Sequence, residues 1–147
     1  HPGDLDYIHS VERISKLSSV ISINGGVQLD LMGQENAEST GTRQLSGVGG
    51  QMDFLEGAYR SKGGKGFICI NSSRVTKDGE RKSNILATIP GGSTISAPRT
   101  MIQYVATEYG IASLSGKTLR ERAEAMAAIA HPDFREELMK YARENFK

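Results

Sequence analysis

The sequence predicts an α/β domain, and three observations carry that prediction. Short apolar runs bounded by Gly, Pro and Asn/Asp turns recur at strand length over the first 110 residues, at 20–24, 27–32, 66–71, 83–89 and 100–108. A turn rich in glycine, with Gly47, Gly49 and Gly50, empties directly into a helical pattern. Past Gly110 the apolar period lengthens, which marks a pair of helices at the C-terminal end. The 147 residues suit one domain, or part of one, able to bury about two thirds of its unfolded surface.

Taken in order, Ser10 to Leu17 forms a short helix, and Val20–Asn24 and Val27–Met32 form two strands broken by Gly25-Gly26. Gly47, Gly49 and Gly50 lack Cβ atoms, so the backbone there can adopt φ > 0 and touch a ligand atom directly. The helix behind them, Met52 to Ser61, aims unpaired N–H groups and a positive dipole end at the same spot, which suits negative charge. A Walker loop is excluded because no Gly-Lys-Ser/Thr follows at the required spacing. The dinucleotide fingerprint fails too, since Gly47-Val48-Gly49-Gly50 follows the polar stretch 39–44 instead of a strand. A tight turn with no ligand remains the alternative.

Gly66 to Asn71 reads as a buried strand from its continuous apolar run. That places Cys69, the chain's single cysteine, as a buried and inert thiol. Asp78-Gly79 carries the hairpin signal between this strand and the alternating 83–89. Pro90-Gly91-Gly92-Ser93 punctuates, and Thr100 to Glu108 gives a further strand ending at the Gly110 turn. Thr118 with Glu121 makes a capping box, followed by Leu119, Ala123, Met126, Ala127 and Ala130 at helical spacing. Pro132 stops that helix and starts another over 133–145, with Phe134, Leu138 and Tyr141 on one face. This C-terminal helical pair is expected to cover one face of the sheet.

Eighteen basic residues against seventeen acidic ones give a net charge of +1, which offers no nucleic-acid or membrane signal. No apolar run approaches the length of a membrane span and no signal-peptide pattern opens the chain, so a cytoplasmic protein is expected. His1, His9 and His131 show no ligand spacing with one another, and no metal is expected.

Five words occur in a fixed order: 33–39 (Gly33 to Ser39), 46–54 (Ser46 to Phe54), 107–112 (Thr107 to Ala112), 119–123 (Leu119 to Ala123) and 129–135 (Ile129 to Arg135). Together they resemble the C-terminal domain of the acetyl-CoA hydrolase/transferase family. Gly57-Ala58-Tyr59 and Phe67-Ile68-Cys69 look closest to its butyryl and 4-hydroxybutyrate CoA-transferase branch. The resemblance implies a mixed or largely parallel sheet flanked by helices, as in the NagB/RpiA-like CoA-transferases. It also implies ping-pong transfer of coenzyme A between an acyl-CoA and a small carboxylic acid through a glutamyl-CoA thioester. In that family the nucleophilic glutamate stands in an upstream Thr-Glu-Met-like word absent from this chain. Residues 1–147 are therefore expected to be a single, truncated C-terminal domain, inactive alone, with acyl-CoA as substrate and no tightly bound cofactor.

By the same resemblance, Ser46, Gly47, Gly49, Gly50 and Gln51 form the loop that meets coenzyme A, and Gly50 lines the reacting centre. Main-chain N–H groups there would stabilise the oxyanion, worth about 3 to 4 kcal/mol per donor. Glu108 matches a glutamate near the active site with an electrostatic or positional role, though an ordinary exposed carboxylate is the competing reading. Lys77 matches a lysine near the coenzyme A phosphates, with Arg81 and Lys82 close by, against the plainer reading of solvated turn lysines. Lys62 and Lys65 read as solubilising. His9 departs from the family, which usually has asparagine there, so a neutral amide is replaced by an imidazole. An acyl-CoA hydrolase, or a non-catalytic α/β module, remains as an alternative function. A bare sheet edge predicts a homo-oligomer or an edge covered by a terminal segment.

Overall fold

A computed structural model describes residues 3–147 of the chain. Helices α1 (Leu5–Ile8) and α2 (Val11–Lys16) lead into β1 (Ile21–Gly25), β2 (Gln28–Asp30), β3 (Glu35–Asn36), β4 (Ser39–Thr40) and β5 (Arg43–Gln44). Then come α3 (Gln51–Arg60), β6 (Lys65–Cys69), β7 (Ser73–Val75), β8 (Arg81–Ser83) and β9 (Ile85–Leu86). The hairpin β10 (Tyr104–Thr107) and β11 (Gly110–Ser113) precedes α4 (Leu119–Ala128) and α5 (Pro132–Asn145).

The predicted α/β class holds. The main sheet runs β1-β6-β10-β11, with β1, β6 and β10 mutually parallel and β11 antiparallel to β10. A parallel pair needs a crossover connection, and α3 supplies the one between β1 and β6. The crossover from β6 to β10 has no helix; it carries the β7–β8 hairpin and β9. A smaller sheet, β3-β2-β9, lies beside the main one. The free side of β1 has no strand partner among the described residues, in line with the bare edge expected.

The sheet register assigns each side chain a face. Ser22, Gly66, Ile68, Val105 and Ala112 point to a covered side and are buried. Ile21, Ile23, Cys69 and Ile111 point to the opposite side and are exposed. Phe67 and Tyr104 share that outer face, stacked at 4.8 Å between centroids. This corrects the expectation that Cys69 is buried. Neighbours along a strand alternate sides, so Ile68 fills the core while Cys69 stands outside.

Beneath the covered side, Leu29, Leu31, Leu55, Ile85, Leu114 and Met126 form the core. The α4 capping box forms as predicted, with Thr118 and Glu121 exchanging bonds. Ala123, Met126 and Ala127 pack inward as expected, but Leu119 is exposed and Arg122 is buried instead. Arg122 donates from Nε to Met32 O, from Nη1 to Leu114 O and from Nη2 to Arg99 O, each at 2.8 Å. Three predicted strands also shorten, and of these Val27–Met32 is strand only over β2. The 83–89 run breaks at Asn84, whose side chain bonds Asn71 O and Arg74, and 100–108 is strand only over β10.

Candidate active site

The glycine turn and the start of α3 form as the sequence predicts. Gly49 has φ +60, a conformation that side chains resist. Gly50 is the N-cap of α3 with φ −93, so its own backbone does not demand glycine. Space does. A Cβ built there would lie 2.3 Å from His9 Cε1 and 2.6 Å from its Nδ1. The His9 imidazole therefore rests against Gly50, with Nδ1 3.4 Å from Asp53 Oδ2 and its ring edge-on to Phe54. No side chain caps this helix end, which leaves first-turn N–H groups open to a ligand.

Ser46 and Gly47 lie on the exposed approach to the turn. The Ser46 hydroxyl donates to Gly47 O, while its N–H donates to Glu38 O, which anchors the loop to the small-sheet region. Gln51 is turned inward. Its Nε2 donates to Glu35 Oε2 at 2.5 Å. Glu35 is fully buried, its Oε1 has no partner, and burial pushes its carboxyl up to about 7; the Gln51 bond opposes the shift and the Glu38 charge adds to it. The sequence reading did not single out Glu35 as a site residue. Its only signal there was its place inside the Gly33–Ser39 word.

Glu35 Oε1 would sit 2.8 Å from a Cβ on Gly26. Gly26, with Cys69, Ile70, Asn71, Ala106 and Thr107, lines an open pocket of about 410 Å³ at the carboxyl ends of β1, β6 and β10. Open α/β sheets bind ligands at that end. Glu108 stands beside it in the β10–β11 turn. Ser72 N donates to Glu108 Oε2 at 2.9 Å and Ser72 Oγ to Oε1 at 2.5 Å. Burial works to raise that carboxyl, but the Ser72 bonds, with His131 nearby, outweigh it and hold the group below the usual range.

Lys77 is exposed at the tip of the β7–β8 hairpin, in a turn that Gly79 makes possible with φ +82. Of its neighbours, Lys82 pairs with Glu80 at 3.2 Å and Arg81 bonds Ser73. Lys77 does not line the strand-end pocket. The geometry thus joins His9, Gly50, Gln51 and Glu35 at one end of α3, sets Glu108 with Ser72 at the strand ends, and leaves Lys77 on a projecting arm. His131 caps α5, and His1 lies outside the described residues. Among the described residues no group of three or more His, Cys, Asp or Glu could hold a metal ion.

Chemically, an uncapped helix end behind a glycine turn can polarise a carbonyl oxygen, and the buried carboxyl behind it can hold a proton.

The family model for the acetyl-CoA hydrolase/transferase C-terminal domain matches residues 3–142. The chain is 46% identical over 138 residues to a butyryl-CoA:acetate CoA-transferase of Anaerostipes caccae, covering 94% of this chain and 31% of that protein. It is 47% identical over 142 residues to a 4-hydroxybutyrate coenzyme A transferase of Clostridium kluyveri, covering 97% and 32%. The crystal structure of RipA from Yersinia pestis superposes with a TM-score of 0.82 at 38% identity, covering 95% of this chain and 30% of that one. The chain thus spans about a third of the length of the relatives it matches.

Proposed function

The chain belongs to the acetyl-CoA hydrolase/transferase family as its C-terminal domain, and from that premise we propose that it is the coenzyme A-binding part of an acyl-CoA:carboxylate CoA-transferase. Its substrates are an acyl-CoA and a small carboxylic acid, the class named for its relatives. One observation supports this above the others: the uncapped N-terminus of α3 at Gly50. There the N–H groups of the turn take the thioester oxygen as negative charge develops. Ser46, Gly47, Gly49 and Gln51 shape the turn, and Gln51 does so through Glu35. Glu108 acts by position, with both oxygens held by Ser72. Lys77 reaches coenzyme A phosphates as a point charge.

The attacking carboxylate, which forms the glutamyl-CoA thioester, comes from a further part of the enzyme. We place residues 1–147 as one domain of that longer, cytoplasmic enzyme, assembled as a homo-oligomer through the open β1 edge. Alone, the chain binds coenzyme A weakly and turns nothing over.

Substituting Gly50→Val in the enzyme that holds this domain tests the reading. The acyl step is expected to slow by orders of magnitude while circular dichroism shows an intact fold. Because the new Cβ also meets His9, His9→Ala is added: relief of that clash should not restore the rate. Recovery in the double variant would mean the imidazole, and not the oxyanion position, had been disturbed. Lys77→Ala should weaken coenzyme A binding but spare pantetheine thioesters, with the difference shrinking as salt screens it. Equal losses for both ligands would count against it.

A further inference from the structure

Exchange of coenzyme A between two carboxylates moves no proton, because an anion attacks and an anion leaves. A proton acceptor nevertheless stands against the Gly50 turn. His9 is the C-cap of α1, and one edge of its ring lies along Gly50: the Cβ that Gly50 lacks would be 2.6 Å from Nδ1 and 2.9 Å from Nε2. Nδ1 faces Asp53 Oδ2, in the first turn of α3, at 3.4 Å, within the loose reach that such pairs show before substrate tightens them. Phe54 meets the ring edge-on at 5.2 Å between centroids. The remaining charges on α1, α2 and α3 are engaged or turned outward. Asp4 and Asp6 are exposed, Glu12 pairs with Lys16, Glu56 pairs with Arg60, and Arg13 covers the Tyr7 ring.

A carboxylate at Nδ1 fixes the tautomer that carries its proton there and leaves the lone pair on Nε2, on the ring edge that borders Gly50. The side chain stays 26% exposed, open to water. Water, unlike a carboxylate, must shed a proton as it attacks a carbonyl carbon. We propose that His9 and Asp53 form a general-base pair that lets water stand in for the carboxylate acceptor, giving the enzyme that holds this domain a thioester hydrolase activity beside transfer. Its electrophile is the thioester whose oxygen the Gly50 turn holds, so the activity rests on the reading given above. The water oxygen bonds to the carbonyl carbon while one water proton passes to Nε2, and the N–H groups of the turn take the charge that builds on the carbonyl oxygen. The carbon–sulfur bond then breaks, and the proton on Nε2 goes to the departing sulfur. The products are a carboxylic acid and the coenzyme A thiol. His9 meets the reacting water and is catalytic, whereas Asp53 positions it.

Thiol release from butyryl-CoA without an acceptor, followed in the enzyme that holds this domain, is compared with transfer to acetate, the substrates named for one relative. Release is expected to climb with pH and then level off. His9→Asn keeps a hydrogen-bonding side chain but no base; it should lower release about a hundredfold and abolish its pH dependence, so that hydrolysis falls relative to transfer. Asp53→Asn, at an exposed position that spares the fold, should act in the same direction by reversing the tautomer. If His9→Asn fails to fold, the Asp53 variant decides alone. An enzyme that transfers but releases no thiol, or release that is unchanged in the variants, overturns the pair and leaves the transferase reading intact. Equal losses of release and transfer also overturn it, since the imidazole would then only support the turn. Release that depends on His9, with no transfer to acetate, would instead uphold the pair and defeat the transferase reading.

Discussion

Within the four-stranded sheet, Ile68 and Ile23 sit on neighbouring strands and face opposite ways. Ile68 is 0% exposed on the side where α3 packs against β6, while Ile23 is 68% exposed, in company with Ile111 at 63%. The two faces are nearly equal in apolar character. Parallel strands read as unbroken apolar runs because both of their faces are normally covered, and β6 has that composition. The comparison teaches that composition records how many layers a strand is made for, and not which of them the described residues supply.

The largest effect expected from this comparison is on the covered side. Ile68→Ala should cost about 2 to 5 kcal/mol in denaturant unfolding, as cavity-forming core truncations do. A loss below about 1 kcal/mol would mean the covered side is looser than it looks. Glu35 is the covered side's unneutralised acid, and its effect is on pH. Burial pushes its carboxyl up to about 7, from an ordinary glutamate value of 4.5. Between those values the folded state holds the extra proton, so stability is full at low pH and falls as pH rises from about 4.5 to 7. The total is on the order of 3 kcal/mol. Glu35→Gln should flatten that part of the profile; a slope left unchanged would place the proton elsewhere.

The outer face should respond weakly. Ile23→Ser is expected to change stability by no more than about 0.5 kcal/mol, as surface substitutions do. A loss several times larger in the same titration would show that another protein surface covers the face in solution. The smallest effect is chemical. Cys69 should react with a maleimide in the native chain at the rate of a free exposed thiol, with the melting temperature unmoved; protection of the thiol would again reveal a cover.

Local signals carried much of the fold. The Thr118–Glu121 box, the Gly79 turn, the Gly47–Gly50 bend and the Pro132 helix start each depend on residues a few positions apart, so the sequence displays them directly. The small sheet was not legible. Its strands are two or three residues long, and β2 meets β9 across more than fifty positions, too short and too distant for any period to show. Ile68 and Cys69 shared one apolar run, and only the register separated them. The site was half legible. Gly50 announced itself by type, whereas Glu35 looked like any surface acid until folding brought Gln51 and Gly26 against it.

Arg122 carries a consequence for the order in which the chain assembles. Its guanidinium closes on three carbonyls whose residues lie 90, 23 and 8 positions away in sequence. The nearest can be met early, but Met32 becomes reachable only after the long connections have been drawn together, which is slow in entropic terms. The clamp is therefore expected to close late on the route to the native state. Interactions formed after the rate-limiting step act on the reverse reaction, so a substitution at Arg122 should shorten the life of the folded domain more than it slows its formation.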